Sequence, residues 1–190
     1  MSLRENANVA RPAPVIESLS EPVALALQRL AMKQKSPTRY RQPVAVIGPG
    51  DAGETKCTAA YAVAHALAGA GMVVICGGRG GVMAAASRGA TEAGGMVVGI
   101  LPEDDDVNAN EWLSVAVPTG MGEMRNAIIA RSAVCLVAIG SNLGTLSEMA
   151  MGLKWGKPVF VIHGGIQLPG ATEALTVNDL LTEVLNSLLG

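Results

Sequence analysis

Short apolar runs alternate with helix-length stretches along most of this chain. The runs are rich in Val, Ile, Leu and Ala, as expected of strands that are buried on both faces of a parallel sheet. They are Val44–Ile47, Val73–Cys76, Val97–Leu101, Ser114–Val117, Val134–Ile139 and Val159–Ile162. Helical spacing predicts helices over Glu54–Ala70, Gly81–Ala93, Met121–Ser132, Thr145–Trp155 and Thr172–Leu189, the last closing the chain.

This alternation predicts the fold. Strand–helix–strand units with right-handed connections place their strands in one sheet with helices on both faces. We therefore predict an α/β, Rossmann-like, doubly wound fold with a mostly parallel sheet of about six or seven strands. Ligands of such sheets bind beyond the carboxyl ends of the strands, where the strand order reverses. The turns that follow the strands are therefore the candidate functional segments.

The first forty residues differ from the rest of the chain. They hold four prolines and several charges, and one stretch, Glu21–Lys35, has apolar residues at helical spacing. We expect residues 1–40 to form an N-terminal extension whose one helix packs on the domain or on a partner subunit, with the first dozen residues disordered. Residues 41–190 are expected to form a single Rossmann-like domain that binds a nucleotide or phosphate.

Composition narrows the function. The 190 residues carry a net charge of −2, 16% charged residues and only 3% aromatic residues. Nucleic-acid binding needs a basic surface and stacking side chains, so we expect no nucleic-acid partner. The apolar stretch from Ala59 to Cys76 is broken by His65, Gly69 and Gly71, so we expect no membrane span. The start of the chain lacks the pattern of a secretory signal, and the expected location is cytoplasmic.

Candidate metal ligands do not have the spacing of a metal site. The cysteines Cys57, Cys76 and Cys135 stand far apart without neighbouring ligands, and we expect reduced, mostly buried thiols. The acidic run Glu103–Asp106 lacks the alternating spacing of a calcium loop, which favours a solvated loop. We predict no metal ligands and no required cofactor.

The first glycine-rich turn, Gly48–Gly53, matches G-x-G-x-x-G between a predicted strand and a predicted helix. A nicotinamide dinucleotide site would also need an acidic residue at the end of the second strand. This chain has Cys76 followed by glycine there, which disfavours that hypothesis. Gly48 and Gly50 either contact a ligand or only permit a tight turn. Asp51 is a candidate cap for the following helix.

The second turn is the strongest motif of the sequence. The segment Gly77–Met83 has four glycines in its first five residues. Glycine lets the backbone approach a ligand, and the amides at a helix start face an anion. We therefore predict a phosphate site, at which Arg79 either adds a guanidinium contact or is a solvated loop residue. The candidate binding residues are Gly77, Gly78, Arg79, Gly80, Gly81 and Met83.

A third turn, Gly140–Thr145, again joins a strand to a helix and offers hydroxyls and helix-start amides. Thr145 and Glu148 also fit a T-x-x-E capping box, which would make Glu148 structural. Alternatively, Glu148 pairs with Arg125, which follows the fourth strand; the pair would orient a phosphate and transfer a proton or stabilise a cationic sugar carbon. The turn's candidate binding residues are Gly140, Ser141, Gly144 and Thr145.

Several ordered segments carry a family resemblance over roughly Pro43 to Leu189. They are Gly77–Met83, Ser87–Ala90, Gly99–Pro102, Arg125–Asn126 and Gly144–Glu148. In these segments the chain resembles a bacterial branch of the superfamily that contains molybdenum cofactor carrier proteins and the Lonely Guy (LOG) phosphoribohydrolases, often labelled lysine decarboxylases. The resemblance implies that Arg125 and Glu148 are catalytic if the protein is an enzyme, that Asn126 belongs to the ligand site, and that the protein is a homo-oligomer, a dimer or a tetramer.

Two functions stay open at this point. The phosphoribohydrolases have a P-G-G-x-G-T turn where this chain has Gly140–Thr145, and the second turn has the shorter form of the carriers. We predict a binding or carrier protein for a phosphate-bearing nucleotide or pterin-type ligand, with a nucleotide or the molybdenum cofactor as the bound molecule. The alternative is a LOG-type hydrolase that cleaves the N-glycosidic bond of nucleoside 5′-monophosphates.

Overall fold

The computed structural model describes residues 12–190, so the expectation for the first dozen residues lies outside the described part except for residue 12. The helices are α1 Glu21–Gln34, α2 Glu54–Gly69, α3 Val82–Glu92, α4 Asn126–Ser132, α5 Leu143–Lys154 and α6 Val177–Leu189, and a 3₁₀ helix spans Gly122–Arg125. The strands are β1 Val44–Ile47, β2 Val74–Cys76, β3 Val97–Leu101, β4 Val115–Pro118, β5 Leu136–Ile139, β6 Val159–Ile162 and β7 Thr172–Ala174. Strands and helices alternate as predicted.

All seven of these strands lie in one parallel sheet with the order β4-β3-β2-β1-β5-β6-β7. In the centre, Ala45 of β1 is in register with Ile75 of β2 and Leu136 of β5. The order runs outward from β1 to β4 on one side and from β5 to β7 on the other, so it reverses between β1 and β5. The predicted α/β, Rossmann-like, doubly wound fold is confirmed, and the reversal lies at the first and third glycine-rich turns.

Alternate residues of each strand face opposite sides of the sheet, and each side has its own apolar core. Val44 and Val46 of β1 belong to the core that α1, α2, α3 and α6 cover. Ala45 and Ile47 belong to the other core, which α4 and α5 cover. All four side chains are buried, which explains why the strands read as continuous apolar runs.

The N-terminal helix α1 packs on the last helix of the same chain. Val23 and Leu30 are buried in the shared core. Lys33 Nζ and Tyr40 Oη both donate hydrogen bonds to the carbonyl of Leu188, at 2.8 and 2.7 Å. They satisfy a carbonyl in the last turn of α6, which has no partner inside the helix. The predicted helix is therefore confirmed and packs on the domain, while the boundary at residue 40 stays a prediction.

The long apolar stretch is divided as predicted. Helix α2 ends at Gly69, the chain turns at Gly71 with φ +87°, and β2 begins at Val74. Within residues 12–190, no helix is long and apolar enough to cross a membrane.

The predicted closing helix Thr172–Leu189 is wrong at its start. Residues 172–174 form β7, which pairs with β6 at the edge of the sheet. Helix α6 begins only after Thr176, whose hydroxyl accepts a hydrogen bond from the Asp179 amide while the Asp179 carboxylate accepts one from the Thr176 amide, both at 3.1 Å. This reciprocal cap fixes the helix start, and the residues before it are free to extend the sheet.

Candidate functional site

The three glycine-rich turns meet at one edge of the sheet. They follow β1, β2 and β5, which are neighbours, and the carboxyl ends of parallel strands lie at the same edge. A pocket of about 320 Å³ opens between the turns. Eleven of the predicted residues line it: Gly48, Gly50, Gly77, Arg79, Gly80, Met83, Arg125, Asn126, Gly144, Thr145 and Glu148.

Four other predicted residues lie in the turns but not in the pocket lining: Gly78, Gly81, Gly140 and Ser141. Gly81 acts in the packing between turns. Its φ is +59°, and a Cβ there would lie 2.5 Å from the carbonyl oxygens of Pro49 and Gly50. The amide of Val82 donates to the Pro49 carbonyl at 3.1 Å. The first and second turns are therefore in backbone contact, which only glycine at position 81 permits.

Gly48 is needed for close packing between turns and also lines the pocket, while its contact with a ligand stays a prediction. A Cβ on Gly48 would lie 2.5 Å from the Ile139 carbonyl and 2.6 Å from Val82 Cγ1, so glycine is needed for tight packing. Gly48 also lines the pocket together with Gly50. The absence of a side chain at position 48 thus brings β1 close to β5 and exposes backbone to the pocket.

Arg79 stands at the rim of the pocket, and its guanidinium forms an ion pair with Glu103 at 2.9 Å. The side chain of Arg79 is 44% exposed. An ion pair this exposed contributes little stability. Arg79 is therefore a rim residue with a partner, and a ligand anion can compete with Glu103 for its guanidinium.

Arg125 reaches the pocket from the 3₁₀ helix, so the predicted helix Met121–Ser132 begins with this tighter turn. Its side chain is buried, and Nη1 donates to the Ile100 carbonyl at 2.7 Å. Its Nε is buried without a hydrogen-bond partner among the described residues. Burial lowers the pKa of Arg125. A buried cation with an unused donor is suited to hold an anion in the pocket.

Glu148 enters the pocket from the second turn of α5 and is only 6% exposed. Burial raises its pKa to about 8, with a further contribution from the charge of Glu123; the attraction of Arg125 acts in the opposite direction and is weaker than burial. The carboxyl is therefore mostly protonated at pH 7. Arg125 and Glu148 line the same pocket and attract each other electrostatically, but the ion pairs found within residues 12–190 do not include one between them.

Both predicted helix caps at the site are wrong. Helix α5 begins at Leu143, because the Asn142 side chain accepts hydrogen bonds from the Thr145 amide at 2.8 Å and from its hydroxyl at 3.0 Å. Glu148 is therefore too far along the helix to form a capping box. At the first turn, Gly53 occupies the N-terminal cap position of α2, and this helix has no side-chain cap. Asp51 therefore does not cap α2.

Two polar pocket residues, Glu123 and Asn142, were missed by the sequence analysis. An Asn just before an apolar helical run is a recognised capping signal, and Asn142 was hidden by the competing T-x-x-E pattern. Glu123 carries no such signal, because it lies in a 3₁₀ helix whose orientation depends on tertiary contacts.

Asn126 Nδ2 lies 3.5 Å from Glu123 Oε2 and 3.1 Å from Ser147 Oγ. Asn126 thus connects the two helices that bear Arg125 and Glu148.

The cap at Asn142 gives a first prediction. We expect Asn142→Ala to lower the free energy of unfolding by about 1 kcal/mol, because the Thr145 amide loses its acceptor. Urea unfolding followed by circular dichroism measures this. Asn142→Asp keeps the acceptor and should stay within about 0.5 kcal/mol of the original chain. Equal losses in the two variants would contradict a capping role.

Comparisons with known proteins agree with this architecture. The family model described as the SLOG cluster4 family matches residues 41–185. The chain belongs to the SLOG cluster4 family. This SLOG cluster4 chain is 38% identical over 143 residues to an uncharacterized protein of Archaeoglobus fulgidus, covering 75% of this chain and 91% of that protein. It is 33% identical over 88 residues to the cytokinin riboside 5′-monophosphate phosphoribohydrolase LOG5 of Arabidopsis thaliana, covering 45% of this chain and 38% of that protein.

Several solved structures are also similar to this SLOG cluster4 chain. The molybdenum cofactor binding protein of Rippkaea orientalis superposes with a TM-score of 0.73 at 34% identity, covering 79% of this chain and 99% of that one. The molybdenum cofactor carrier protein of Chlamydomonas reinhardtii superposes with a TM-score of 0.72 at 30% identity, covering 79% of this chain and 100% of that one. DNA processing protein A of Streptococcus pneumoniae, at 19% identity, shares the fold alone. The predicted superfamily is confirmed, and the bacterial branch stays a prediction.

Proposed function

We propose that this SLOG cluster4 protein binds, and carries, a phosphate-bearing small molecule of nucleotide or pterin type. The observation that carries the proposal is the construction of the pocket: three turns of glycine backbone meet there beside two arginines, Arg79 and Arg125. Backbone amides and guanidinium groups are the donors that phosphate recognition uses. Because Glu148 is mostly protonated at neutral pH, it does not cancel the charge of Arg125.

The molybdenum cofactor is one ligand of this class. The similarity to a molybdenum cofactor binding protein and a molybdenum cofactor carrier protein supports it as the ligand. The residues present fit such a cargo. Arg125 is a buried cation whose Nε has no hydrogen-bond partner among the described residues, and its guanidinium lies against Gly77, which lines the pocket together with Gly80. Asn126 and Thr145 also line the pocket and offer polar groups to the rest of the ligand.

Calorimetry on the full chain tests this proposal with inorganic phosphate, AMP, GMP and the molybdenum cofactor released from a purified molybdoenzyme. We expect binding of at least one phosphate-bearing molecule, and at least a tenfold weaker affinity after Arg125→Gln, because one charge-assisted hydrogen bond is lost. Arg29→Gln, on α1 and away from the pocket, is the matched control. If none of the four probes binds, the proposal is wrong.

A second candidate is hydrolysis of nucleoside 5′-monophosphates, favoured by the buried carboxyl of Glu148 beside Arg125. A protonated Glu148 would donate its proton to the leaving base nitrogen as the C–N glycosidic bond breaks, and water would add to the sugar carbon and return a proton to the Glu148 carboxylate. Arg125 would hold the phosphate. The products are the free base and ribose 5-phosphate.

Release of adenine from AMP, followed by chromatography, tests this candidate. Glu148→Gln should lower the rate by about 100-fold or more, because general acid–base groups contribute on that scale. The rate of the original chain should fall as pH rises through about 8, since the acid then loses its proton. If AMP binds and no adenine appears at any pH, the protein is a binding protein and not this hydrolase.

We further propose that the protein is a homo-oligomer that associates through α4 and α5. An apolar groove there is lined by Ala127, Ile128, Arg131, Ser132 and Trp155. Met124, in the 3₁₀ helix that precedes α4, is 71% exposed, and methionine adapts well to apolar contacts. Light scattering should give a mass of two or four chains, and Ile128→Asp should shift the protein to monomer.

A further inference from the structure

The loop between β3 and β4 is attached to the second glycine-rich turn by Asn110. Its backbone amide donates to the Gly78 carbonyl at 2.9 Å. Its side-chain Nδ2 donates to the same carbonyl at 3.0 Å and to the Arg79 carbonyl at 3.1 Å. Neither Asn110 nor its loop is part of the pocket lining. The asparagine therefore acts on the turn from the side that faces away from the pocket.

These contacts fix the direction of two peptide groups. A trans peptide unit is planar, with its carbonyl and its N–H pointing in opposite directions, and the described chain has no cis peptide bond. Since the carbonyls of Gly78 and Arg79 point to Asn110, the N–H groups of Arg79 and Gly80 point the other way. Both of these residues line the pocket. Successive amides that point to the same side of a turn can form an anion-binding concavity.

The two amides are available to a ligand. Among the hydrogen bonds of residues 12–190, the N–H groups of Arg79 and Gly80 donate to no protein acceptor. Gly78 has φ +75°, a conformation that glycine adopts without strain and that lets the chain turn back at this point. The turn therefore presents two unused donors towards the pocket.

Asn110 is itself held in one orientation. Its Oδ1 accepts a hydrogen bond from the Trp112 amide at 3.1 Å, which leaves the Nδ2 hydrogens for the turn. Nδ2 also lies 3.3 Å from Ser87 Oγ, and this fully buried hydroxyl donates to the Met83 carbonyl at 2.8 Å. A carbonyl oxygen only accepts hydrogen bonds, so a side chain without donors cannot replace the amide at this place.

We propose that Asn110 is a positioning residue that aims the amides of the second turn at the ligand phosphate. The inference rests on the proposed function, because it assigns the phosphate to these amides. The contacts of Asn110 also distinguish the Arg79 amide from the Gly80 amide. The Gly78 carbonyl keeps the backbone bond from Asn110 after any substitution but proline, whereas the Arg79 carbonyl depends on the side chain alone among the described hydrogen bonds. The Gly80 amide is therefore the one that Asn110 controls most strongly.

Asn110→Asp tests the proposal. It keeps the size of the side chain and replaces two donor hydrogens by a carboxylate oxygen, which the Arg79 carbonyl repels. We expect the affinity for AMP to fall at least tenfold, on the scale of one charge-assisted hydrogen bond. Asn108→Asp makes the same charge change in the same loop, where its Nδ2 reaches only Glu103, at 3.4 Å, among the described residues. This control should change the affinity less than threefold.

Amide NMR spectra distinguish a change in the orientation of these two amides from a general loss of stability. On adding inorganic phosphate or AMP to the original chain, the amide proton resonances of Arg79 and Gly80 should shift downfield. In Asn110→Asp the shift of Gly80 should be lost while that of Arg79 is largely kept, and in Asn108→Asp both should persist. If Asn110→Asp binds AMP as well as the original chain and shows both shifts, the inference is overturned and the proposed function stands.

The remaining outcomes are equally decisive. If the original chain binds neither phosphate nor AMP nor any other phosphorylated probe, the proposed function fails and the inference fails with it. If Asn110→Asp does not fold by circular dichroism, Asn110→Ser takes its place, because its shorter side chain leaves the Arg79 carbonyl without its donor. If neither variant folds, the spectrum of the original chain decides: phosphate-induced shifts elsewhere in the pocket but not at Arg79 and Gly80 overturn the inference.

Discussion

Gly77→Ala is expected to weaken ligand binding by about 100-fold and to lower the free energy of unfolding by about 1–3 kcal/mol. A Cβ at this position would overlap the Arg125 guanidinium and lie 2.5 Å from Met83 Sδ. The methionine can move, but Arg125 is buried and hydrogen-bonded to the Ile100 carbonyl at 2.7 Å. The new methyl group must therefore displace the buried cation of the pocket.

Calorimetry with a phosphorylated ligand and urea unfolding measure the two effects. Gly53→Ala, in the first turn, is the matched control, since a Cβ there meets no atom within 4 Å and its φ is −70°. We expect this control to bind normally and to lose less than about 1 kcal/mol of stability. Unchanged ligand affinity in Gly77→Ala would contradict the placement of Arg125 over this glycine.

Glu148→Gln is expected to make stability less sensitive to pH. In the folded protein the carboxyl keeps its proton up to a pKa of about 8, whereas in the unfolded chain it ionises near the ordinary glutamate pKa of 4.5. Between these values the folded state binds more protons, so raising the pH favours unfolding, by up to about 1.4 kcal/mol per pH unit. Below pH 4.5 the contribution is fully present, and above pH 8 its loss is complete. The glutamine variant lacks this dependence.

The experiment is urea unfolding of both proteins at several pH values from 4 to 9. The difference in stability, original chain minus Glu148→Gln, should fall as pH rises through this window and then level off. Glu183→Gln, at an exposed site on α6, removes a carboxyl of the same kind and should give a nearly constant difference. A constant difference for Glu148→Gln as well would show that its carboxyl is ionised in the folded state at neutral pH.

The protonation of Glu148 also sets the charge of the pocket. Its lining has the cations Arg79 and Arg125 and the carboxylates Glu123 and Glu148. Protonation of Glu148 removes one negative charge from this lining, which favours a phosphate. The affinity for a phosphate-bearing ligand should therefore decrease as pH rises through about 8 in the original chain but not in Glu148→Gln.

The sequence was informative wherever local geometry decides the structure. Apolar runs predicted the buried strands, and the glycines marked the three turns that meet at the pocket. The strand Thr172–Ala174 was missed, because its residues lie at the edge of the sheet, are partly exposed and have no continuous apolar pattern. The cap at Asn142 was missed because two local patterns competed, and only the packed helix shows which one forms.

By itself, the sequence determined the α/β fold, the three glycine-rich turns and the two charged residues Arg125 and Glu148, since strand period, glycine content and residue type are local properties. The tertiary structure alone decided that Arg125 passes over Gly77, that Glu148 is buried and retains its proton near neutral pH, and that Asn110 orients the second turn. These depend on distances between groups far apart in the chain. Burial and peptide orientation arise only when the sheet brings those groups together.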